Sequence, residues 1–154
     1  MDYVTVKWLH ILSSTILFGT GIGTAFYMLV ANVSQDIRAI AVVSRWVVRG
    51  DWLFTATSGV VQPLTGFYLI HLAGFPMTSR WIVWSIALYL LALACWLPVV
   101  WLQIRLRDMA NDAARHGTTL PALYWRYMRI WTLLGIPAFV ALMIVFWLMV
   151  AKPA

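Results

Sequence analysis

Charge is scarce in this chain of 154 residues, of which only 10% are charged, and acidic side chains are scarcer still, with five against eleven lysines and arginines. Soluble domains carry roughly 25% charged residues. Hydrophobic residues make up 63% of the chain instead, and its mean hydropathy is +0.85. This composition excludes an ordinary soluble domain and indicates an integral membrane protein.

Cysteine is nearly absent, because Cys95 is the only one. An intrachain disulfide is therefore excluded, and the position of Cys95 inside an apolar run favours a small packing residue over a ligand. A cleavable signal is not expected either, since the N-terminus lacks a basic region followed by a short apolar core and a small-residue cleavage site.

Four long apolar runs dominate what is present. They cover about residues 6–30, 51–72, 81–104 and 130–150, and each approaches the roughly 20 residues that cross a 30 Å hydrocarbon core. Runs of this length must be helices, because lipid cannot satisfy the edge of an open sheet. The sequence predicts an all-α membrane protein, a four-transmembrane-helix bundle that takes up residues 1–154 as one domain.

The basic residues indicate the orientation of this bundle. The net charge is +6, and eight of the eleven basic residues lie in the first and third connections, which leaves Lys7, Arg80 and Lys152 for the other side. In a soluble protein this net charge would suggest binding to nucleic acid. In a membrane protein the distribution of the basic residues indicates the topology instead. The positive-inside rule predicts N-out/C-out topology, with both termini outside the cytoplasm. We expect a multi-pass protein of the bacterial cytoplasmic (inner) membrane. Its expected partner is membrane lipid, and nucleic acid is not expected as a partner.

The first connection has an amphipathic pattern of its own. Over about residues 34–48, apolar side chains such as Ile37, Ile40 and Ala41 alternate with Arg38 and Arg45. The pattern predicts either a short amphipathic helix on the cytoplasmic surface or an extension of the second membrane helix, and both alternatives stay open.

Two histidines are the main signal for function. His10 lies near the start of the first run and His71 near the end of the second, so antiparallel helices would bring them near the same, outer face of the membrane. The helix face of His10 also carries Ser13 and Gly21, and small or hydroxylated side chains favour packing against protein. Gly19 and Gly23 add a GxxxG spacing, which lets another helix or a flat ring approach the backbone of this helix closely.

Two imidazoles inside a membrane bundle predict a metal, namely the iron of haem b, with His10 and His71 as axial ligands. Lys7 lies one turn outward of the first histidine and Arg80 lies across the outer connection, so both are suited to pair with haem propionates. Tyr68, on the face of His71, completes the predicted cofactor-binding set. A six-coordinate iron has no open position, which favours electron transfer.

A second polar cluster is expected at the opposite face. It combines Asp51 with Gln103 and nearby arginines such as Arg49 and Arg105. One interpretation is that this cluster anchors the bundle at the membrane surface, with Asp51 and Asp108 paired to arginines. A second is that it binds the headgroup of a quinone. A third places the quinone site at the outer face instead, near Tyr68, Arg80 and Trp81.

Several motifs resemble known membrane proteins. The stretches 7–11 (Lys-Trp-Leu-His-Ile) and 150–153 (Val-Ala-Lys-Pro) resemble the HemJ-type protoporphyrinogen oxidase family and the allied CopD-like proteins. A closer resemblance, over nearly all residues, is to an uncharacterised bacterial family of predicted four-helix integral membrane proteins in that group; it rests on residues 51–55, 94–103, 124–127 and 146–153. The resemblance implies a haem-associated four-helix fold in which His10 matches the first-helix histidine.

One departure changes the functional expectation. HemJ-type chains carry a histidine and a lysine near the start of the third helix, whereas residues 81–85 here read Trp-Ile-Val-Trp-Ser. Protoporphyrinogen oxidation is therefore not expected, and the hypothesis is a haem-binding membrane redox protein that exchanges electrons between a quinone and an outer-face partner protein. The alternatives are copper handling through His10, His71 and Met77, or a non-enzymatic subunit or assembly factor. Whether the protein is an enzyme and whether it forms a homo-oligomer stay open.

Overall fold

The computed structural model describes residues 2–153, and these form helices throughout with no strand. The elements are α1 (Tyr3–Val33), α2 (Ile37–Gly50), a π-helical segment (Asp51–Thr55), α3 (Ala56–Ala73), α4 (Arg80–His116) and α5 (Ala122–Ala151). Four stretches are long and apolar enough to cross a membrane: α1, the continuous stretch 37–73, α4 and α5. The predicted all-α fold with four membrane-length helices is confirmed.

The two ends of the bundle differ in composition. The terminal end holds the start of α1, the end of α5 and the short connection between α3 and α4, whereas the basic end holds α2 and the two other connections. At the terminal end Asp2 caps α1, accepting a hydrogen bond from the backbone N–H of Thr5 at 3.2 Å. Hydrogen bonds with the side chain and backbone of Thr5 lower the pKa of the Asp2 carboxyl group.

The amphipathic stretch is an extension of the second membrane helix, which decides between the two alternatives left by the sequence. Asp36 caps α2 by accepting from the backbone N–H of Arg38 at 2.9 Å, and the chain then runs helically from 37 to 73 without a loop. Residues 51–55 form the π-helical segment, which is wider than an α-helix and shifts the faces of α2 and α3 relative to each other. The continuous helix that contains the apolar run predicted at about 51–72 therefore begins at 37.

Helix length explains why the predicted boundaries fall short. α4 has 37 residues, about 55 Å at 1.5 Å per residue, against a hydrocarbon core of roughly 30 Å. Its apolar run marks only the part that lipid surrounds, and the polar remainder to His116 stays helical because it packs against α2. Likewise, α5 begins at Ala122 rather than near 130.

The main packed core lies at the basic end. Its fully buried members include Met28, Ile40, Leu106 and Tyr124, contributed by α1, α2, α4 and α5. The Tyr124 hydroxyl donates to Asn32 Oδ1 at 2.8 Å, and Asn32 Nδ2 donates to the carbonyl of Met28 at 2.8 Å. These buried polar groups are thus paired, as an apolar interior requires.

The terminal end has a smaller cluster built on Trp81, Ile82 and Leu148. The Lys152 ammonium group lies 5.0 Å from the centre of the Phe75 ring and 5.7 Å from that of Trp81. This cation–π arrangement joins the end of α5 to the connection between α3 and α4.

A proline inside α3 creates an interhelical hydrogen bond. Pro63 has no N–H and therefore cannot bond to the carbonyl of Gly59, four residues earlier. The hydroxyl of Tyr89 on α4 donates to that carbonyl instead. The bond satisfies a backbone group that would otherwise be unpaired in the membrane and ties α3 to α4.

The expected close approach at Gly19 and Gly23 is not found. Apart from the neighbouring backbone of α1 itself, no described atom lies within 4 Å of a Cβ built at either position. The close approach occurs at Gly66, where a built Cβ would stand 3.2 Å from His10 Cε1.

Candidate functional site

The contact between α1 and α3 places His10. Its side chain is half-buried, and its Nδ1 lies 2.8 Å from the Thr65 hydroxyl oxygen. The Thr65 hydroxyl itself donates to the carbonyl of Val61 at 2.7 Å, so its single proton is in use. With the hydroxyl proton on that carbonyl, Thr65 accepts from His10 Nδ1–H, and in this tautomer the lone pair of Nε2 is available as a metal ligand or proton acceptor.

A polar ladder continues from this histidine along the same interface. One turn further on, Ser13 is buried and its hydroxyl donates to Gln62 Oε1. The His10 ring packs directly on the backbone at Gly66, where any side chain would crowd it. Thr65 and Gly66 are absent from the predicted site, although Gln62 and Gly66 share the α3 face that lies opposite His71 in the sequence pattern.

His71 lies elsewhere on α3. It is exposed in the last helical turn and lines an open depression of about 290 Å³ together with Phe67, Ile70, Gly74, Phe75 and Met77. At 100° per residue it stands about 120° around the helix from Thr65, and about 9 Å further toward the terminal end. The two histidines are thus on neighbouring helices, as expected, but their imidazoles do not face each other.

The other predicted binding residues lie at the terminal end on exposed surface. Lys7 Nζ lies 5.8 Å from the centre of the Tyr3 ring, and Arg80 begins α4. Tyr68 is 41% exposed. Lys152, which the sequence marked only for topology, adds a third cation at this end.

The tryptophans Trp81, Trp84 and Trp131 differ in their surroundings. Trp84 is exposed, and Trp81 is buried beneath Lys152. Trp131 is buried in the core near the basic end, where its Nε1 has no hydrogen-bond partner among the described residues. It therefore lies away from His10.

The donor chemistry suits some cofactors better than others. Within residues 2–153 no group of three or more His, Cys, Asp or Glu side chains could hold a metal ion. A haem requires fewer protein ligands, because the porphyrin supplies four nitrogens. His10 fits one axial position, since a second-shell acceptor on Nδ1 is the usual arrangement for a metal-binding imidazole. The depression at His71 and Met77 instead combines imidazole with thioether, which suits Cu(I).

Asp51 forms the centre of the polar cluster at the basic end. Its side chain is only 4% exposed, and its two oxygens accept from the Thr55 hydroxyl at 3.0 Å and from Gln103 Nε2 at 2.6 Å. The expected pairing of Asp51 with an arginine is wrong, because no arginine nitrogen in the described chain lies within 4.0 Å of it. Asp108 does pair with an arginine, the adjacent Arg107, at 2.8 Å.

The neighbouring arginines are directed to aromatic rings instead. The Arg49 guanidinium lies 5.0 Å from the Trp46 ring centre, and that of Arg105 lies 5.7 Å from Trp101. One of the two N–H groups of Gln103 Nε2 donates to Asp51, and the Gln103 side chain is buried, so its amide is not accessible to a quinone carbonyl. This cluster therefore functions foremost as a contact between the π-helical segment and α4.

The helices and their lipid-facing apolar surface define an integral membrane protein of the helical-bundle class. The chain belongs to the family of predicted integral membrane proteins designated DUF2269, whose profile matches residues 4–153. No curated protein and no solved structure matches it. Membership of a predicted integral membrane protein family is thereby confirmed, while the alliance with HemJ-type and CopD-like proteins stays a prediction.

Proposed function

We propose that this chain is a b-type haem-binding membrane redox protein in which His10 Nε2 supplies an axial ligand. The observation that carries the proposal is the hydrogen bond from His10 Nδ1 to Thr65, whose hydroxyl proton is already in use. That bond fixes the ring orientation and leaves Nε2 as the ligating atom. A half-buried imidazole in a membrane helix is costly, and such residues generally mark functional sites.

Each neighbouring residue has a defined task in this proposal. Thr65 orients the imidazole, and Gly66 provides the clearance that the ring needs. The cations Lys7, Arg80 and Lys152 lie at the terminal end, where they would pair with propionate groups. Haem, when bound, supplies one-electron chemistry at this end of the bundle.

The role of His71 is a separate prediction. Joint ligation of one iron would require α3 to turn by about 120° from its described position, since Thr65 and not His71 faces α1. Ligation by His10 alone leaves the sixth position open to a small molecule, whereas ligation by both histidines limits the protein to electron transfer. The spectrum of the reduced protein distinguishes these cases.

The test is an absorption spectrum of the full-length protein, purified in mild detergent after expression with haem supplied. We expect a Soret band that His10→Ala abolishes and that Thr65→Val weakens, because valine keeps the side-chain shape but removes the acceptor for Nδ1. His116→Ala is the matched control, since His116 is exposed at the basic end. Full haem occupancy in His10→Ala combined with His71→Ala would overturn the proposal.

The electron donor is proposed to be a membrane quinol that binds near the terminal end. Arg80→Ala should then slow quinol-driven reduction when the rate is expressed per bound haem, a quantity that does not depend on any loss of propionate pairing. Gln103→Leu should leave the rate unchanged, because Gln103 is buried against Asp51 at the opposite, basic end. Unchanged rates in both variants would remove quinone from the proposal.

Copper handling is the second candidate, and one specific observation favours it. His71 and Met77 line the same depression at the terminal end, and imidazole with thioether suits Cu(I). Elemental analysis of the purified protein decides between the candidates. Stoichiometric copper that Met77→Leu reduces, without a Soret band, would replace the haem proposal, and the absence of both would favour a non-enzymatic subunit or assembly factor.

A further inference from the structure

A concave basic surface lies between α2 and α4 at the basic end. It is an open depression of about 260 Å³, and three guanidinium groups line it: Arg38 and Arg45 from α2, and Arg115 from α4. Asn111 lines it as well. Cationic side chains from two helices therefore surround one small volume.

No described carboxylate pairs directly with the arginines of this depression. None of the three arginines forms an ion pair within 4.0 Å among residues 2–153. The nearby carboxylates have other partners: Asp36 accepts from the backbone at the start of α2, Asp112 contacts His116 at 3.2 Å, and Asp108 pairs with the neighbouring arginine. The depression is thus a concavity whose three arginines form no ion pair with a carboxylate of the described chain.

One contact orients this surface. Arg45 Nη1 donates to Asn111 Oδ1 at 3.1 Å, which holds the guanidinium plane across the groove between α2 and α4. The remaining N–H donors of a guanidinium form a rigid fork that matches two phosphate oxygens. From the three arginines and this orientation we infer that the depression binds the phosphate group of a small anionic phosphate compound.

Two sources of phosphate are compatible with the position of the depression. On α2, Arg45 is adjacent to Trp46, and tryptophan is typical of the headgroup level of a membrane. On α4, Asn111 lies ten residues beyond Trp101, about 15 Å further along the helix. A lipid headgroup and a water-soluble phosphate ester present the same phosphate chemistry, and binding measurements with both distinguish them.

The experiment uses the full-length protein in nanodiscs of neutral phosphatidylcholine. Saturable binding of inorganic phosphate and of glycerol phosphate is measured by calorimetry, and retention of phosphatidylglycerol from mixed micelles is measured by native mass spectrometry. The variants are Arg45→Gln and Arg115→Gln. Arg129→Gln is the matched control, because Arg129 is exposed on α5 and does not line the depression.

We expect saturable binding that weakens about tenfold or more in each of the two variants, because each loses a charge-assisted hydrogen bond, and that is unchanged in the control. Binding of the soluble phosphates assigns the site to a metabolite, and selective retention of phosphatidylglycerol alone assigns it to a lipid headgroup. An equal loss of binding in Arg129→Gln would show that the net charge of the protein, and not the depression, determines binding, and would overturn the inference. Absence of saturable binding for all three probes would overturn it as well.

Discussion

Removal of the Tyr89 hydroxyl should destabilise the bundle, because this hydroxyl on α4 is the hydrogen-bond donor for a backbone carbonyl on α3. Tyr89→Phe leaves the Gly59 carbonyl without a donor, because Pro63 has no N–H to offer. An unpaired buried acceptor costs about 1–3 kcal/mol, and a value of about 2 kcal/mol corresponds to roughly a 30-fold change in the unfolding equilibrium constant. Reversible unfolding in mixed detergent and SDS micelles, followed by circular dichroism, measures the change.

The same reasoning predicts a rescue. Pro63→Ala restores a backbone N–H four residues after Gly59, so Tyr89→Phe should cost at least about 1 kcal/mol less in the Pro63→Ala background than in the natural one. Tyr27→Phe is the control, because Tyr27 is exposed and its hydroxyl has no partner in the described chain. An equal cost of Tyr89→Phe in both backgrounds would refute the proline-based account.

Three further predictions concern other parts of the bundle. A reporter fused after Lys152 should report an extracytoplasmic C-terminus, and cytoplasmic activity there would reverse the assigned orientation. Gly66→Ala should destabilise the protein by about 1–3 kcal/mol in the same unfolding assay, since a Cβ would stand 3.2 Å from the neighbouring imidazole, whereas Gly19→Ala meets open space and should not. Gln103→Leu and Asp51→Leu should each destabilise the protein, yet the double variant should cost less than their sum, because it leaves neither partner of the Gln103–Asp51 hydrogen bond unpaired; additive effects would contradict this.

The membrane helices could be predicted from the sequence because hydropathy reports directly on the lipid environment. Hydropathy does not report on a helix where it leaves the membrane. The apolar run of α4 ends near 104, yet the helix continues to His116. Packing against α2, and not hydropathy, holds that extension. Boundaries outside the membrane therefore depend on tertiary contacts that no local pattern displays.

The site was predictable in part for a similar reason. His10 could be recognised by its residue type and by the small side chains on its face. Its partner Thr65 could not, because choosing between the two faces of α3 requires knowing which one α1 contacts. Asp51 was expected to pair with an arginine by proximity in sequence, but the π-helical segment brings it to Gln103.

Because no loop separates α2 from α3, the amphipathic segment and the membrane-length segment form one continuous helical rod. α2 has 14 residues, a lever of about 21 Å beyond the π-helical segment. If the rod pivots as one body, a tilt of α3 by about 10° displaces the far end of α2 by about 4 Å, the width of a side chain. Arg38, near that far end, and His71, near the opposite end of the rod, would then move in opposite directions.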